Sequence, residues 1–371
     1  MKNIFYTIEM NILLITNEGY QGAGSSESIA LLSKGLAARG HNVFVGCHPD
    51  CYLMNLLKNS KAIAVPMHFK SKISRTNMRE IRDVVKNNNI QIINAQSSKD
   101  RYTTIFAKWF YGIDPIIVHT RRQTPRSDGG ILQRWFYILN TKKIVTVSNE
   151  LRNVFISKGY PPKHIKAIFN GLPDEIFTFS NPEIISELKQ KHGFKPDDKI
   201  IGCVSRHKKQ EQLLSALKYL DPSIKVIFIG VNEGFFNEFV VNNNIKNEII
   251  YTGRIDKALL MNYYKIIDVK VLPSTTDGFG LVLVEAMGSG TPVIGTKYAG
   301  IIDVLDNEKN GLWFEDGDCK ELANKIETVL YNENERKRLI ENGLQAAKFQ
   351  FNIENTISEY ETFFNSLIEE K

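Results

Sequence analysis

Two acidic residues, separated by seven positions, flank a glycine-containing turn in the second half of the sequence. Asp277 opens the turn Asp-Gly-Phe-Gly, and Glu285 lies in the helix-like run that follows Gly280. The first N–H groups of such a helix, at Leu281 and Val282, lack intrahelical partners and suit phosphate or sugar oxygens. A carboxylate at Glu285 can accept both hydroxyls of a ribose. The residues alone leave a second interpretation open, in which Asp277 caps the helix and Glu285 is solvated.

Alternating strands and helices must position these groups. The sequence begins with the apolar run 11–16, a loop containing Gly22 and Gly24, a helical pattern and a second strand at 42–46, which together form a βαβ unit. After a polar stretch, the alternation restarts with a strand at 199–205. We therefore predict an α/β protein with two Rossmann-like, doubly wound parallel-sheet domains facing a cleft. Ligands are expected at the carboxyl ends of the strands.

Shifts in composition divide the sequence into four segments. We predict an N-terminal domain (1–172), a linker or capping segment (173–198), a C-terminal domain (199–350) and a final helix (351–371). That helix is expected either to cap the second domain or to cross back to the first. A chain of 371 residues is long enough for two separate cores.

The charge is distributed unevenly between the two halves. The chain carries 47 basic and 41 acidic residues, but residues 1–172 hold 24 basic and 10 acidic ones, which gives +14 there and −8 in the remainder. The basic half is expected to attract a phosphate group, a nucleic acid or an anionic membrane surface. Four cysteines cannot form a disulfide scaffold and suit a reducing compartment. Because no apolar run reaches the roughly 18 residues that cross a bilayer, we expect a cytoplasmic protein.

Two further patterns are weak indications of a metal site and of a dinucleotide site. The segment 47–51 contains cysteine, histidine and aspartate, but no second ligand cluster follows, so we predict no metal site. Gly22 and Gly24 after a strand could begin a dinucleotide fingerprint. Glu27 occupies the place of its third glycine, which disfavours a dehydrogenase.

The segment from Asp277 to Ile294 resembles the donor-site signature of glycosyltransferase family 4, whose members are retaining enzymes of the GT-B fold. That signature is an acid, seven residues and a glutamate, with Gly-Phe-Gly after the first acid and Gly-x-Pro-Val-Ile behind. Other segments are similar to the same family in the same order, from Met10 to about residue 350: Gly22-Ala-Gly24, Arg39-Gly40-His41, Asn170-Gly171, Arg206 with Lys208, Gly230, Gly253, Ala299-Gly300 and Asn310-Gly311.

The resemblance implies a role for each matching residue of the second domain. Arg206 and Lys208 would hold the donor diphosphate, the first by bidentate contacts and the second as a point charge. Lys209 stands where the family usually has glycine, so a shift of one residue would exchange the two lysines. Backbone groups of Arg254 and Ile255 would pair with the nucleobase.

Around the signature itself, the resemblance implies contacts to the ribose and the transferred sugar. Glu285 would take the ribose hydroxyls. Asp277, with the backbone of Phe279, Gly280 and Leu281, would meet the donor sugar and the diphosphate. The family more often has glutamate at the first acid, and aspartate is one methylene shorter.

In the first domain, the resemblance concerns one loop and one strand end. Gly22 and Gly24 would let the backbone approach the diphosphate and the acceptor. His119 closes a strand and would lie beside the donor sugar, although a histidine bonded to a backbone carbonyl is the alternative. Arg121 and Arg122 follow it and suit an anionic acceptor.

The implied function is that of a retaining hexosyltransferase. It would move a sugar from a nucleotide-diphosphate sugar, with a UDP-sugar favoured, to a saccharide or lipid-linked acceptor in envelope polysaccharide or lipopolysaccharide assembly. The mechanism implied is front-face attack, in which the leaving diphosphate accepts the acceptor's proton and the protein stabilises charge. We assign catalysis to His119, Asp277, Arg206 and Lys208, and we expect no metal or other cofactor.

Two other functions remain open at this point. The first is a GT-B nucleotide-sugar epimerase or hydrolase that works without an acceptor and would need extra carboxylates as acid and base. The second is a non-catalytic nucleic-acid-binding protein, because the first domain is basic. None of the known nucleic-acid-binding modules is recognisable in the sequence.

Basic residues of the first domain form two clusters, the second interleaved with aromatic residues: Lys70, Lys72, Arg75, Arg79 and Arg82, then Arg121, Arg122, Arg126 and Arg134 with Trp135, Phe136 and Tyr137. Basic side chains beside exposed aromatic rings suit peripheral contact with anionic lipid headgroups at the inner face of the cytoplasmic membrane. The alternative is charge for solubility combined with aromatic residues of the core.

Overall fold

A computed structural model describes residues 9–17, 24–124, 130–306 and 308–371. The chain divides into two compact units, one made of Met1–Asn170 with Ile353–Lys371 and the other of Gly171–Asn352. Each unit contains one parallel sheet, and the predicted α/β class with two Rossmann-like sheets is confirmed.

In the first unit, strands and helices alternate along the chain. They are β1 (Asn11–Ile15), α1 (Gly24–Ala38), β2 (Asn42–Cys47), α2 (Tyr52–Leu57), β3 (Ile63–Pro66), α3 (Arg75–Asn87), β4 (Ile92–Ala95), α4 (Ser98–Tyr111), β5 (Ile116–Arg121), α5 (Gly130–Asn140), β6 (Lys143–Thr146), α6 (Asn149–Ser157) and β7 (Ile165–Ala167). The strand order is β3-β2-β1-β4-β5-β6-β7.

Strand β1 lies in the middle of this sheet. It pairs in parallel with β2, where Ile12 is opposite Val43, and with β4, where Leu13 is opposite Ile93. Both of its faces are covered, which explains its unbroken apolar sequence. The short strands β3 and β7 form the two edges, and the sequence patterns did not predict them.

The second unit repeats the same topology with six strands. Its elements are α7 (Asp174–Thr178), α8 (Pro182–Lys191), β8 (Ile200–Val204), α9 (Gln210–Ala216), β9 (Lys225–Ile229), α10 (Asn237–Asn242), β10 (Ile249–Gly253), α11 (Lys257–Tyr264), β11 (Val269–Leu272), α12 (Leu281–Gly288), β12 (Val293–Thr296), α13 (Gly300–Leu305), β13 (Leu312–Phe314), α14 (Cys319–Tyr331) and α15 (Glu333–Gln345). The strand order is β10-β9-β8-β11-β12-β13. A π-helical turn at Ala346–Gln350 follows α15.

The order of strands reverses between β8 and β11. These central strands are hydrogen-bonded parallel neighbours, with Val271 opposite Cys203. In doubly wound sheets, ligands bind at the carboxyl ends of the strands where the order reverses. A ligand site is therefore expected at the loops that follow β8 and β11.

The final helix, α16 (Ile353–Glu369), belongs to the first unit. Its Phe364 is fully buried in the same apolar cluster as Leu14 of β1. An ion pair of 2.6 Å joins Glu361 to Arg39 at the end of α1. The last helix of the chain thus packs against the sheet of the first unit.

We expect the packing of α16 to be important for the stability of the first unit. Replacing Phe364 with alanine should lower the free energy of unfolding by about 3–5 kcal/mol, because it leaves a cavity in the core. Phe349→Ala is the control: its ring is 62% exposed, so the change should stay within about 0.5 kcal/mol. Urea unfolding of both variants measures the difference, and equal losses would contradict this role of α16.

Candidate functional site

Two loops of the second unit meet at the carboxyl edge of its sheet. The loop after β8 carries Arg206, Lys208 and Lys209, and the loop after β11 carries Asp277. Because β8 and β11 are parallel neighbours, both loops leave the sheet on the same side. There the Lys208 ammonium contacts the Asp277 carboxylate.

The two adjacent lysines have different partners. Lys209 pairs with Asp316 at 2.6 Å, whereas Lys208 meets Asp277. This favours the alignment in which Lys208 is the phosphate-binding lysine. Arg206 lies exposed at the start of the same loop, where a guanidinium can reach an incoming anion.

Gln210, which the sequence analysis missed, holds this loop in shape. Its side chain is fully buried at the start of α9. The amide nitrogen donates to the Arg206 carbonyl at 2.8 Å and to the Ser205 hydroxyl at 2.9 Å, and the amide oxygen accepts from the Lys208 backbone N–H at 2.6 Å. A buried amide with three such bonds fixes the loop before any ligand arrives.

The turn before α12 depends on two glycines. Gly280 has φ 89°, in the left-handed region that favours glycine, and it occupies the N-cap position that the alternative interpretation gave to Asp277. At Gly300, which begins α13, a Cβ atom would lie 1.9 Å from the Gly278 carbonyl oxygen. The start of α13 therefore packs directly on the backbone of the turn.

The side chain of Phe279 anchors the same turn. It is 3% exposed, and its ring centroid lies 5.6 Å from that of Phe351. The ring is thus committed to the core. Leu281 follows as the first helical residue, where backbone N–H groups lack partners within the helix.

Glu285 is buried, with only 3% of the residue exposed. Its solvation, which was one of the two interpretations, is therefore excluded. The carboxylate contacts the Lys257 ammonium and accepts a hydrogen bond of 3.1 Å from the Tyr264 hydroxyl. A carboxylate offers about four acceptor positions, so capacity remains for a pair of hydroxyl groups.

The residues predicted to contact the base lie in the turn between β10 and α11, and a lysine at the end of this turn contacts Glu285. Gly253, with φ 62°, ends β10. Arg254 is exposed and Ile255 is half-buried. Lys257 leaves the same turn and reaches Glu285. Lys257, which the sequence analysis did not single out, therefore links the turn predicted to contact the base to the carboxylate predicted to contact the ribose.

Lys270 is a second residue that the sequence analysis missed. It lies in the middle of β11, is fully buried, and its Nζ has no hydrogen-bond partner among the described residues. Burial lowers its pKa to about 8, and the neighbouring Cys203, Asp277 and Glu285 oppose that shift. The sequence feature that could have identified Lys270 is a charged residue within an otherwise apolar central strand.

In the first unit, the predicted contacts are only partly visible. Gly22 lies outside the described residues, and Gly24 is the first residue of α1. The roles of both glycines stay predictions.

His119 lies on β5 and is completely buried. Its ring centroid is 5.2 Å from that of Tyr137 in an edge-on arrangement. Neither ring nitrogen has a hydrogen-bond partner in the described part of the chain. Burial, followed by the charges of Arg101 and Arg121, holds the pKa of His119 well below its usual value. The imidazole is thus neutral near pH 7.

The second basic and aromatic cluster does not lie on one surface. Trp135 is 52% exposed, but Tyr137 is buried in the core, so the expectation of three exposed aromatics is wrong for Tyr137. Arg121 and Arg134 are half-buried. Arg126 lies outside the described residues.

Neither a metal cluster nor a membrane span is found in the described ranges. No group of three or more histidine, cysteine, aspartate or glutamate side chains there could hold a metal ion. No helix among the described residues is long and apolar enough to cross a bilayer. In the segment 47–51, both cysteines are free thiols.

Replacing Lys270 with methionine should change how stability depends on pH. The pKa of Lys270 is about 8 in the folded protein against 10.5 ordinarily, so between these pH values the unfolded state binds more protons and stability rises with pH. The variant should lose that rise and gain up to about 3 kcal/mol at pH 7. The exposed Lys320→Met is the control, and urea unfolding from pH 7 to 10 is the measurement. An unchanged slope in Lys270→Met would contradict the buried ammonium.

Two family models match consecutive parts of the chain. The model for Glycosyltransferase Family 4 matches residues 22–175, and the model for Glycosyl transferases group 1 matches residues 184–346. Among curated proteins, N-acetyl-alpha-D-glucosaminyl L-malate synthase of Bacillus anthracis is 25% identical over 240 residues, which are 63% of this chain and 62% of that protein. The similarity thus spans about three fifths of that relative's length.

Solved structures resemble the chain over nearly its whole length. A glycosyltransferase from Rickettsia africae superposes with a TM-score of 0.84 at 18% identity, covering 98% of this chain and all of that one. HepE of Anabaena, solved in complex with UDP-glucose, gives a TM-score of 0.81 at 21% identity, covering 96% and 100%. These likenesses show the fold, which is GT-B. With both family models matched in order, the chain belongs to the glycosyltransferases of the family 4 type.

Proposed function

We propose that this protein transfers a hexosyl group from a nucleoside-diphosphate sugar to an acceptor, with retention of the anomeric configuration. The observation that carries the proposal is the pairing of Lys208 with Asp277 beside the buried Glu285, at the carboxyl edge where β8 meets β11. A cation for phosphate and a carboxylate for hydroxyls are what a nucleotide sugar needs.

The donor is a UDP-sugar in this proposal. HepE, which has the same fold, was solved with UDP-glucose, and that likeness supports the choice. Glu285 accepts the ribose hydroxyls and the backbone after Gly253 meets the base. Asp277 and the turn up to Leu281 contact the sugar and the diphosphate.

The transfer breaks the bond between the anomeric carbon and the diphosphate oxygen and forms a bond to the acceptor oxygen on the same face. The acceptor's proton passes to the departing diphosphate oxygen. Arg206 and Lys208 stabilise the negative charge that grows on that oxygen. His119 is neutral and serves as a hydrogen-bonding group for the sugar or the acceptor.

The ion pairs disfavour the epimerase alternative. An epimerase needs one carboxyl group as acid and another as base, with pKa values set apart by their surroundings. Asp277 and Glu285 each contact a lysine ammonium instead. Both carboxylates therefore suit binding better than proton transfer.

Glu285→Gln tests the donor assignment. Removing the charged acceptor should weaken binding of the preferred nucleotide sugar by about 10- to 100-fold. In wild type, a ligand at about 100 times its dissociation constant adds about 2.7 kcal/mol of stability, so thermal shifts with UDP-, GDP- and ADP-sugars identify the donor. Glu315→Gln, an exposed carboxylate paired with Lys297 at 2.7 Å in the same unit, is the matched control. Full activity of Glu285→Gln, or no shift with any nucleotide sugar, would contradict the assignment.

The acceptor is proposed to be a saccharide or lipid-linked molecule of envelope polysaccharide assembly, reached at an anionic membrane surface. Helices α4 and α5 pack together, with the Trp109 and Phe136 ring centroids 5.5 Å apart, yet they leave a large apolar area exposed. We call this area the α4–α5 patch: Trp109, Phe110, Ile131, Leu132, Trp135 and Leu139, each more than half exposed.

Basic residues border the α4–α5 patch on the α3 side. The Lys72 ammonium lies 4.9 Å from the Tyr102 ring centroid, and the Arg82 guanidinium lies 4.9 Å from that of Tyr111. Arg75 and Arg79 are exposed on the same helix α3. Apolar side chains beside cations favour an anionic bilayer over a neutral one.

Vesicle binding tests the membrane proposal. Wild type should bind vesicles that contain phosphatidylglycerol several-fold more tightly than pure phosphatidylcholine vesicles, and salt should weaken the binding. Leu132→Ser, which removes a side chain that is 86% exposed, should weaken it further, whereas Val241→Ser, 76% exposed in the second unit, should not. Binding that ignores salt, or an effect of Val241→Ser as large as that of Leu132→Ser, would contradict the patch.

A further inference from the structure

Buried polar atoms without partners gather on one side of the first unit's sheet. In the described part of the chain they include Nε of Arg101, Nε of Arg121, both ring nitrogens of His119 and the hydroxyl of Thr104. Arg101 and Thr104 lie on α4, which follows β4, and the other two lie on β5, the next strand of the sheet. Most of these atoms are hydrogen-bond donors. Native proteins rarely leave such atoms unpaired, so this group calls for a ligand.

Aromatic rings enclose the Arg121 guanidinium. Its carbon lies 5.1 Å from the Tyr137 ring centroid and 5.3 Å from that of Phe155. The ring of Tyr160 packs on Phe155 at 5.3 Å. Rings hold a guanidinium by its flat face and leave its edge, which carries the N–H groups, free to bind.

Arg101 brings a second positive charge to the same place. It is only 9% exposed, and its charge lowers the pKa of both His119 and Arg121, after burial as the main cause. The lowered pKa of Arg121 thus reflects, after burial, repulsion by the charge of Arg101 in a medium that screens charge poorly.

No carboxylate among the described residues forms an ion pair with either arginine. The adjacent Asp100 is fully buried and already engaged: its oxygens accept from the backbone N–H of Gln96 at 2.8 Å and from that of Ser97 at 2.9 Å. Burial raises the pKa of Asp100 to about 6 and the charge of Arg101 opposes that rise, so the carboxylate is ionised at pH 7 and offsets part of the Arg101 charge. Among the described residues, the two arginines therefore carry more positive charge than the neighbouring carboxylate offsets, and Arg121 pairs with none.

We propose that Arg101 and Arg121 bind a phosphoryl group carried by the acceptor, an assignment that rests on the proposed glycosyl transfer. A phosphoryl group carries about −1.5 to −2 at pH 7 and three acceptor oxygens, which matches two guanidinium groups in charge and in donors. Arg121 ends β5 and Arg101 lies in the first turns of α4. Both are at the carboxyl edge of the sheet, where doubly wound folds bind ligands. His119 and Thr104 supply further polar contacts.

Inorganic phosphate is the first probe, used on the full chain at constant ionic strength with chloride as reference. Phosphate should raise the melting temperature of wild type. Because Arg206 and Lys208 are proposed to bind phosphate as well, the comparison is made in a Lys208→Gln background. There, Arg101→Gln and Arg121→Gln should each weaken the remaining phosphate binding at least tenfold, whereas the exposed Arg79→Gln should retain it. Phosphate stabilisation that survives in both Arg101→Gln and Arg121→Gln would overturn the proposal.

The stability of the variants separates a binding role from a structural one. Because Arg121 has no carboxylate partner among the described residues, Arg121→Gln should melt at or above the wild-type temperature in chloride. A large fall in melting temperature would show that the arginine serves the fold and would overturn the proposal. Arg121→Lys keeps the charge and should retain part of the phosphate effect; its complete loss while the variant stays folded would count against a charge-based site.

A sugar phosphate distinguishes the acceptor from free phosphate. Hexose 1- and 6-phosphates should include at least one that binds more tightly than inorganic phosphate, and Arg101→Gln should abolish that preference. Equal affinities would show a site for free phosphate and overturn the link to the acceptor. UDP binding is measured in parallel: its absence in wild type would overturn the proposed function alone, whereas UDP binding that persists in Arg101→Gln shows that the donor site is intact.

Discussion

The chemistry of the second unit depends on one constraint, which is that β8 and β11 are parallel neighbours in the sheet. Parallel pairing puts the carboxyl ends of both strands at one edge, so the loop with Lys208 and the loop with Asp277 must meet. Gln210 and the glycines at positions 280 and 300 then fix the shape of these loops. The ion pair is a consequence of the topology and not of any local sequence.

Both units bury positive charge that the described residues leave without an ion-pair partner. In the second unit it is Lys270, beneath Asp277 and Glu285; in the first it is the pair of Arg101 and Arg121. Such groups lower stability because burial disfavours the charged form. They are explained if each unit binds an anion, the diphosphate of the donor in one case and a phosphoryl group of the acceptor in the other. Residues of binding sites commonly lower the stability of the folded protein.

The total charge of a unit is a poor guide to where it binds. The second half of the sequence carries a net −8 and still places Lys208, Lys257 and Lys270 around its site. The first half carries +14, but its basic residues have separate environments. Arg79 is exposed on α3 beside the α4–α5 patch, whereas Arg121 is enclosed by rings. One surface suits a membrane and the other a single anionic group.

Local periodicity and spacing were enough to predict the two Rossmann-like sheets, the helix that begins at Leu281, and the acidic pattern from Asp277 to Glu285. The sequence did not reveal that Glu285 is buried against Lys257, that Lys270 has no partner, or that Tyr137 is core while Trp135 is exposed. The sequence also left open whether the last helix packs on the first or the second domain; it belongs to the first unit. These features are contacts between residues far apart in the chain. Only the tertiary structure decides them, since burial and the approach of charges depend on which strands become neighbours.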